Sequence, residues 1–157
     1  MNEDRAFLQR AVQLAVASVR DYCGGPFGAV VVSNGQIVGE GWNQVVRNRD
    51  PSAHAEVMAI RAACRELDRF HLEGCTLYAS SEPCPMCLSA AYWARISRIV
   101  FANPRSEAAE AGFCDDELYD ELRLSHAERR MQTIQLVIPG ADEALRLWRN
   151  NPDSCCY

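Results

Sequence analysis

The order of helix and strand patterns along the chain most narrows what it can fold into. In residues 4–22, Phe7, Ala11, Leu14 and Ala15 recur at helical spacing. Gly24, Gly25 and Pro26 break that pattern. GAVVVS and QIVGEGW then flank Asn34-Gly35, a pair that favours a type I′ turn and so predicts a β-hairpin. A loop marked by Asp50-Pro51 follows, and residues 54–69 read as a helix with Val57, Ile60, Ala63, Cys64 and Leu67 on one face. CTLYASS reads as a strand, LSAAYWAR as part of a helix and RIVFAN as a strand. Residues 115–130 read as a charged helix, TIQLVIP as a short strand and DEALRLWRNN as a final helix. The order α-β-β-α-β-α-β-α-β-α predicts an α/β fold, a mixed sheet of about five strands with helices on both faces. No repeat or linker divides the 157 residues, so a single domain over 1–157 is expected.

Composition removes several function classes. The balance of 16 basic against 21 acidic residues, net −5, argues against non-specific nucleic-acid binding, which rests on basic surface. Every basic residue is arginine, so a lysine Schiff base, a phosphate-binding Walker lysine and a lysine general base are all excluded. The N-terminus, MNEDRAFLQR, is charged, and no apolar run approaches the roughly 20 residues that span a bilayer. A cytoplasmic protein with no membrane association is the expectation, and there the eight cysteines read as reduced thiols or metal ligands rather than disulfides.

The chemistry concentrates in two short motifs, His54-Ala55-Glu56 and Glu82-Pro83-Cys84-Pro85-Met86-Cys87. Two cysteines three apart near a helix start reach a common point, and the helix N-terminus favours their thiolates. Alone, that spacing also suits a redox dithiol or two packed cysteines. His54, at the start of another helix, adds a neutral imidazole. His54, Cys84 and Cys87 make three protein ligands for zinc, which leaves its fourth position for water as in catalytic sites. The other histidines, His71 and His126, lack ligand spacing. Glu56, two residues from His54, is placed as a carboxylate beside the metal that takes and returns a proton. The pattern H-x-E…P-C-x-x-C is the signature of zinc nucleobase deaminases and reads here as HAE…PCPMC.

At these residues the chain resembles the cytidine/deoxycytidylate deaminase superfamily. GGPFGAVVV (24–32), DPSAHAEVMAIRAAC (50–64), SEPCPMCLSAAYWAR (81–95) and EAAEAGFCDD (107–116) make it similar to that superfamily's guanine-deaminating branch. The resemblance implies a three-layer α/β/α cytidine-deaminase-like fold. It also implies zinc-dependent hydrolysis of guanine to xanthine and ammonia, with a small-molecule nucleobase as substrate. Carried onto this chain, it places Phe27 against the purine ring, Asn43 on the base edge and Trp93 in the pocket wall. Asp115 and the terminal Tyr157 would recognise the polar groups of guanine. In that branch the C-terminal segment is exchanged within a homodimer, so Tyr157 would complete its neighbour's pocket. The tRNA adenosine deaminases share GEGWN and RDPSAHAEVMA, and their substrate calls for basic surface near the pocket, which an acidic chain does not promise. Deamination of another small amino-heterocycle, cytosine or a triazine, is the other open reading.

Overall fold

The structure is a computed structural model that describes residues 2–21 and 24–155. They form two compact units, 1–115 and 116–157.

The first unit begins with α1 (Asn2–Arg20), β1 (Gly28–Ser33) and β2 (Gln36–Trp42). The β1–β2 turn uses Asn34 at φ 50° and Gly35 at φ 75°, the two positive values a type I′ hairpin demands. A single helical turn, α2 (Val45–Asn48), occupies what reads from sequence as plain loop. Then come α3 (Ala55–Glu66), β3 (Thr76–Ser81), α4 (Pro85–Trp93), β4 (Arg98–Asn103) and the short α5 (Arg105–Glu110).

The sheet runs β2-β1-β3-β4. β1 is antiparallel to both β2 and β3, and β3 is parallel to β4, so β2, β3 and β4 all point the same way. Their C-terminal ends therefore share one end of the sheet, and α3 and α4 start there. The end of β2 pairs with the start of β1, Trp42 opposite Gly28, which brings Phe27 and Asn43 to that same end. Asn43 N donates to Phe27 O at 3.1 Å.

Alternation along β1 builds three layers. Ala29 and Val31 face α3 and α4 and pack with Ala55, Ala59, Ile60, Ala63 and Ala91. Val30 and Val32 face α1 and pack with Leu14, Phe7 and Leu8. This is the expected sandwich, with four strands rather than about five. The missing strand is TIQLVIP: residues 132–138 form neither helix nor strand, and Val137 is 92% exposed. An extended apolar run becomes a strand only beside an open sheet edge, and its own unit contains no strand among the described residues.

The second unit holds α6 (Asp116–Arg123) and α7 (Glu143–Asn150). The helix expected over 115–130 stops at Arg123 and continues as turns, held by Ser125 Oγ donating to Glu128 and by Arg130 pairing with Glu117 at 2.7 Å. Leu136, Leu145 and Leu147 are exposed. No described helix is long and apolar enough to cross a membrane.

Candidate metal centre and active site

His54 and Cys84 occupy equivalent places. Each is the N-cap residue of its helix, α3 and α4, with extended backbone (φ −69°, ψ 156° and φ −64°, ψ 168°). Pro85 takes the first helical position of α4, where its missing N–H costs nothing and its fixed φ suits the helix. The turn that follows points Cys87 back towards the cap. His54 Nδ1 lies 3.6 Å from Cys84 Sγ and 3.6 Å from Cys87 Sγ, and the three donor atoms all fall within 4.8 Å of one another.

Contact between α3 and β2 sets His54 at this depth. A Cβ on Gly41 would sit 2.2 Å from Ala55 O, and one on Gly39 would sit 2.4 Å from Ala59 O. Two glycines on the strand and Ala55, Ala59 and Ala63 on the helix allow this close approach. The i, i+4 spacing of the alanines and the i, i+2 spacing of the glycines were a legible signal that sequence reading passed over.

The three donors suit zinc. A tetrahedral ion with Zn–S of about 2.3 Å and Zn–N of about 2.0 Å separates its sulfur and nitrogen ligands by roughly 3.5 Å. The electrostatics point the same way. Cys84 is brought down to about 4, chiefly because the Cys87 thiol donates to it, with His54 adding to the effect. Cys87 is pushed far up by that same Cys84 contact and by burial. His54 is raised, first by its hydrogen bond with Cys84, with smaller contributions from the charges of Glu56 and Asp115. The arrangement favours the thiolate form of Cys84, at the positive end of α4.

Glu56, in the first turn of α3, is 7% exposed, and burial raises its carboxyl above the ordinary range. Cys87 lies near enough to this carboxyl to act against that rise. A carboxyl beside a metal site that readily keeps a proton is suited to general acid–base work.

Of the remaining expected residues, three gather at this end of the sheet. Asn43 is buried, and its Oδ1 accepts from Gly25 N at 3.1 Å and Val45 N at 3.3 Å. Phe27 is half-buried and meets Phe113 edge to face, with ring centroids 4.9 Å apart. Asp115 is half-buried and close enough to His54 for its charge to be felt. Trp93 is not brought to the cluster: it is the last residue of α4, nine positions beyond Cys84, and is 69% exposed. At 1.5 Å per residue the helix carries it about 13 Å from the cap. Tyr157 lies outside the described residues. Phe113 is the site-end residue that sequence reading did not single out.

Residues 1–103 match the cytidine and deoxycytidylate deaminase zinc-binding region. The chain belongs to this family. It is 47% identical to the guanine deaminase of Bacillus subtilis over 150 residues, covering 96% of each chain. Its fold superposes on the crystal structure of guanine deaminase from Bacillus subtilis with a TM-score of 0.94 at 45% identity, covering 98% of both chains. The likeness to the tRNA-specific adenosine deaminase of Aquifex aeolicus is 46% over 77 residues, covering 49% of this chain and 51% of that one.

Proposed function

We propose that this protein is a zinc-dependent guanine deaminase that converts guanine and water to xanthine and ammonia. The reach of the likeness carries this reading. The guanine deaminase matches nearly the whole chain, including residues beyond 103 where the shared zinc region ends, whereas the tRNA enzyme matches about half.

His54, Cys84 and Cys87 would hold the zinc, which would lower the pKa of a water from 15.7 to about 7 and so supply a nucleophile at neutral pH. The protein's own groups do the rest. Glu56 takes the proton released as the water oxygen bonds to C2 of guanine and delivers it to the adjacent ring nitrogen. It then takes the second proton from the hydroxyl now on C2 and delivers it to the amino group, so the C2 carbonyl forms as the C2–N bond breaks and ammonia leaves. Burial equips Glu56 for both roles by keeping its carboxyl ready to hold a proton. Phe27 offers a ring face for the purine. Asn43 has its Oδ1 committed to backbone amides, so its amide N–H is what it presents to an acceptor on the base. Asp115 accepts from the N–H groups that distinguish guanine.

The protein acts as a homodimer in the cytoplasm, with the C-terminal segment exchanged and Tyr157 closing the partner's pocket. The exposed Leu136, Val137, Leu145 and Trp148 of the second unit, and the exposed Tyr92 and Trp93 at the far end of α4, offer apolar area to a second copy. A wall built by Trp93 is then a feature of the assembled dimer.

The test is ammonia release by the zinc-loaded protein from guanine, cytosine, adenine and an adenosine-bearing tRNA anticodon stem-loop. Turnover of guanine alone is expected. Turnover of only the stem-loop overturns the substrate and keeps the zinc chemistry.

A further inference from the structure

α5 ends in a turn of defined geometry. Gly112 takes φ +92°, its N–H donates to Ala109 O at 2.9 Å, and Phe113 N–H donates to Ala108 O at 3.0 Å. This pair of bonds closes a helix in the Schellman manner and needs a residue that tolerates the left-handed region, which glycine does. The turn sends Phe113 out of the helix in a set direction, onto Phe27. The two rings stand at 85° with centroids 4.9 Å apart, the edge-to-face arrangement that aromatic pairs prefer.

Phe27 is anchored by its backbone. Its N–H donates to Gly25 O at 2.8 Å and its carbonyl accepts from Asn43 N. Those bonds leave the plane of the ring to side-chain rotation. Gly25 keeps the space open: a Cβ there would lie 3.2 Å from Phe27 Cδ2 and 3.4 Å from Phe113 Cε1. Phe113 is itself 44% exposed, so it adds little to the core. Its ring serves Phe27 more than it serves packing.

We infer that Phe113 is a positioning residue that fixes the plane of the Phe27 ring, delivered there by the left-handed turn at Gly112, and that this pairing sets the affinity for the base. The second half rests on the reading of Phe27 as the ring that receives guanine. A pre-set ring face spares the substrate the cost of ordering it. Stacking is present in ground state and transition state alike, so the effect falls on KM.

The experiment compares Phe113→Ala, Phe113→Tyr, Phe27→Ala and the double alanine variant, each zinc-loaded. Steady-state kinetics on guanine are read beside the NMR signals of the Phe27 ring without substrate. Phe113→Ala is expected to raise KM about three- to tenfold, as the worth of an aromatic pair implies, with kcat little changed. Phe113→Tyr restores KM, and Phe113→Ala adds nothing in the Phe27→Ala background. The Phe27 ring signals shift and average in Phe113→Ala. An unchanged KM in Phe113→Ala overturns the inference, as does an equal KM effect in the Phe27→Ala background. If the unaltered protein releases no ammonia from guanine, the functional reading fails on its own. The Phe27 signals then decide alone: averaging in Phe113→Ala supports the inference and unchanged signals overturn it.

Discussion

Glu56 and Asp4 are both carboxylates in a first helical turn, yet their surroundings give them opposite duties. Glu56 is buried beside the cysteines, and burial dominates its shift upward. Replacement by Gln keeps the shape and removes the proton carrier. We expect Glu56→Gln to retain stoichiometric zinc by elemental analysis while guanine turnover falls about 10²- to 10⁴-fold, the usual worth of general acid–base catalysis. Asp4 sits at the other extreme. Arg98 pairs with it through two hydrogen bonds of 2.9 and 3.0 Å, and Tyr78 donates to it at 2.6 Å. The Arg98 bond, then the Tyr78 bond, bring Asp4 from 3.8 to about 2. The same contact, after burial, raises Tyr78 from 10 to about 12. The depressed carboxylate contributes stability above its unfolded value, and that contribution is lost as pH falls from about 4 to about 2. The raised phenol contributes below its unfolded value, and that contribution is lost as pH rises from about 10 to about 12. Denaturant midpoints measured across these windows should show both limbs. Asp4→Asn should flatten the acid limb and shrink the alkaline one.

At the scale of elements, the site depends on how closely α3 lies on β2. His54 and Glu56 flank Ala55, whose carbonyl a Gly41 Cβ would approach to 2.2 Å. The obstacle is helix backbone, which cannot rotate away as a side-chain end can. Gly41→Ala therefore has to lift the first turn of α3. We expect a cost of about 1–3 kcal/mol, typical of overpacking, read as a lower denaturant midpoint. Weaker zinc retention against a chelator should accompany it, because the turn that moves carries His54. Substitution of Gly35, where an added Cβ meets nothing, should leave zinc retention unchanged and cost only turn strain. Local sequence made much of this scale legible. Asn34-Gly35 announced its hairpin, and Pro85 after Cys84 announced a helix start. Element ends were less visible: α3 stops at Glu66 rather than 69, and α6 at Arg123 rather than 130. Helix ends answer to packing, which periodicity alone does not contain.

At the scale of the whole molecule, removal of Tyr157 should impair guanine turnover with zinc content unchanged, and light scattering should return a dimer for the intact protein. Unaffected turnover would count against exchange of the C-terminal segment. The sequence by itself determined the layered α/β class, the candidate metal triad and the adjacent carboxyl, because local pattern and ligand spacing carry that information directly. Tertiary structure decided what depends on distant partners. TIQLVIP has strand composition but no strand within its own unit to pair with, and the sheet has four strands. Trp93 lies close in sequence to Cys87, yet helix length carries it away from the cluster. Phe27 and Phe113 lie far apart in the chain and meet because a hairpin start and a helix-closing turn come off the same end of the sheet. Contacts of that kind are properties of topology and register, which residue spacing does not encode.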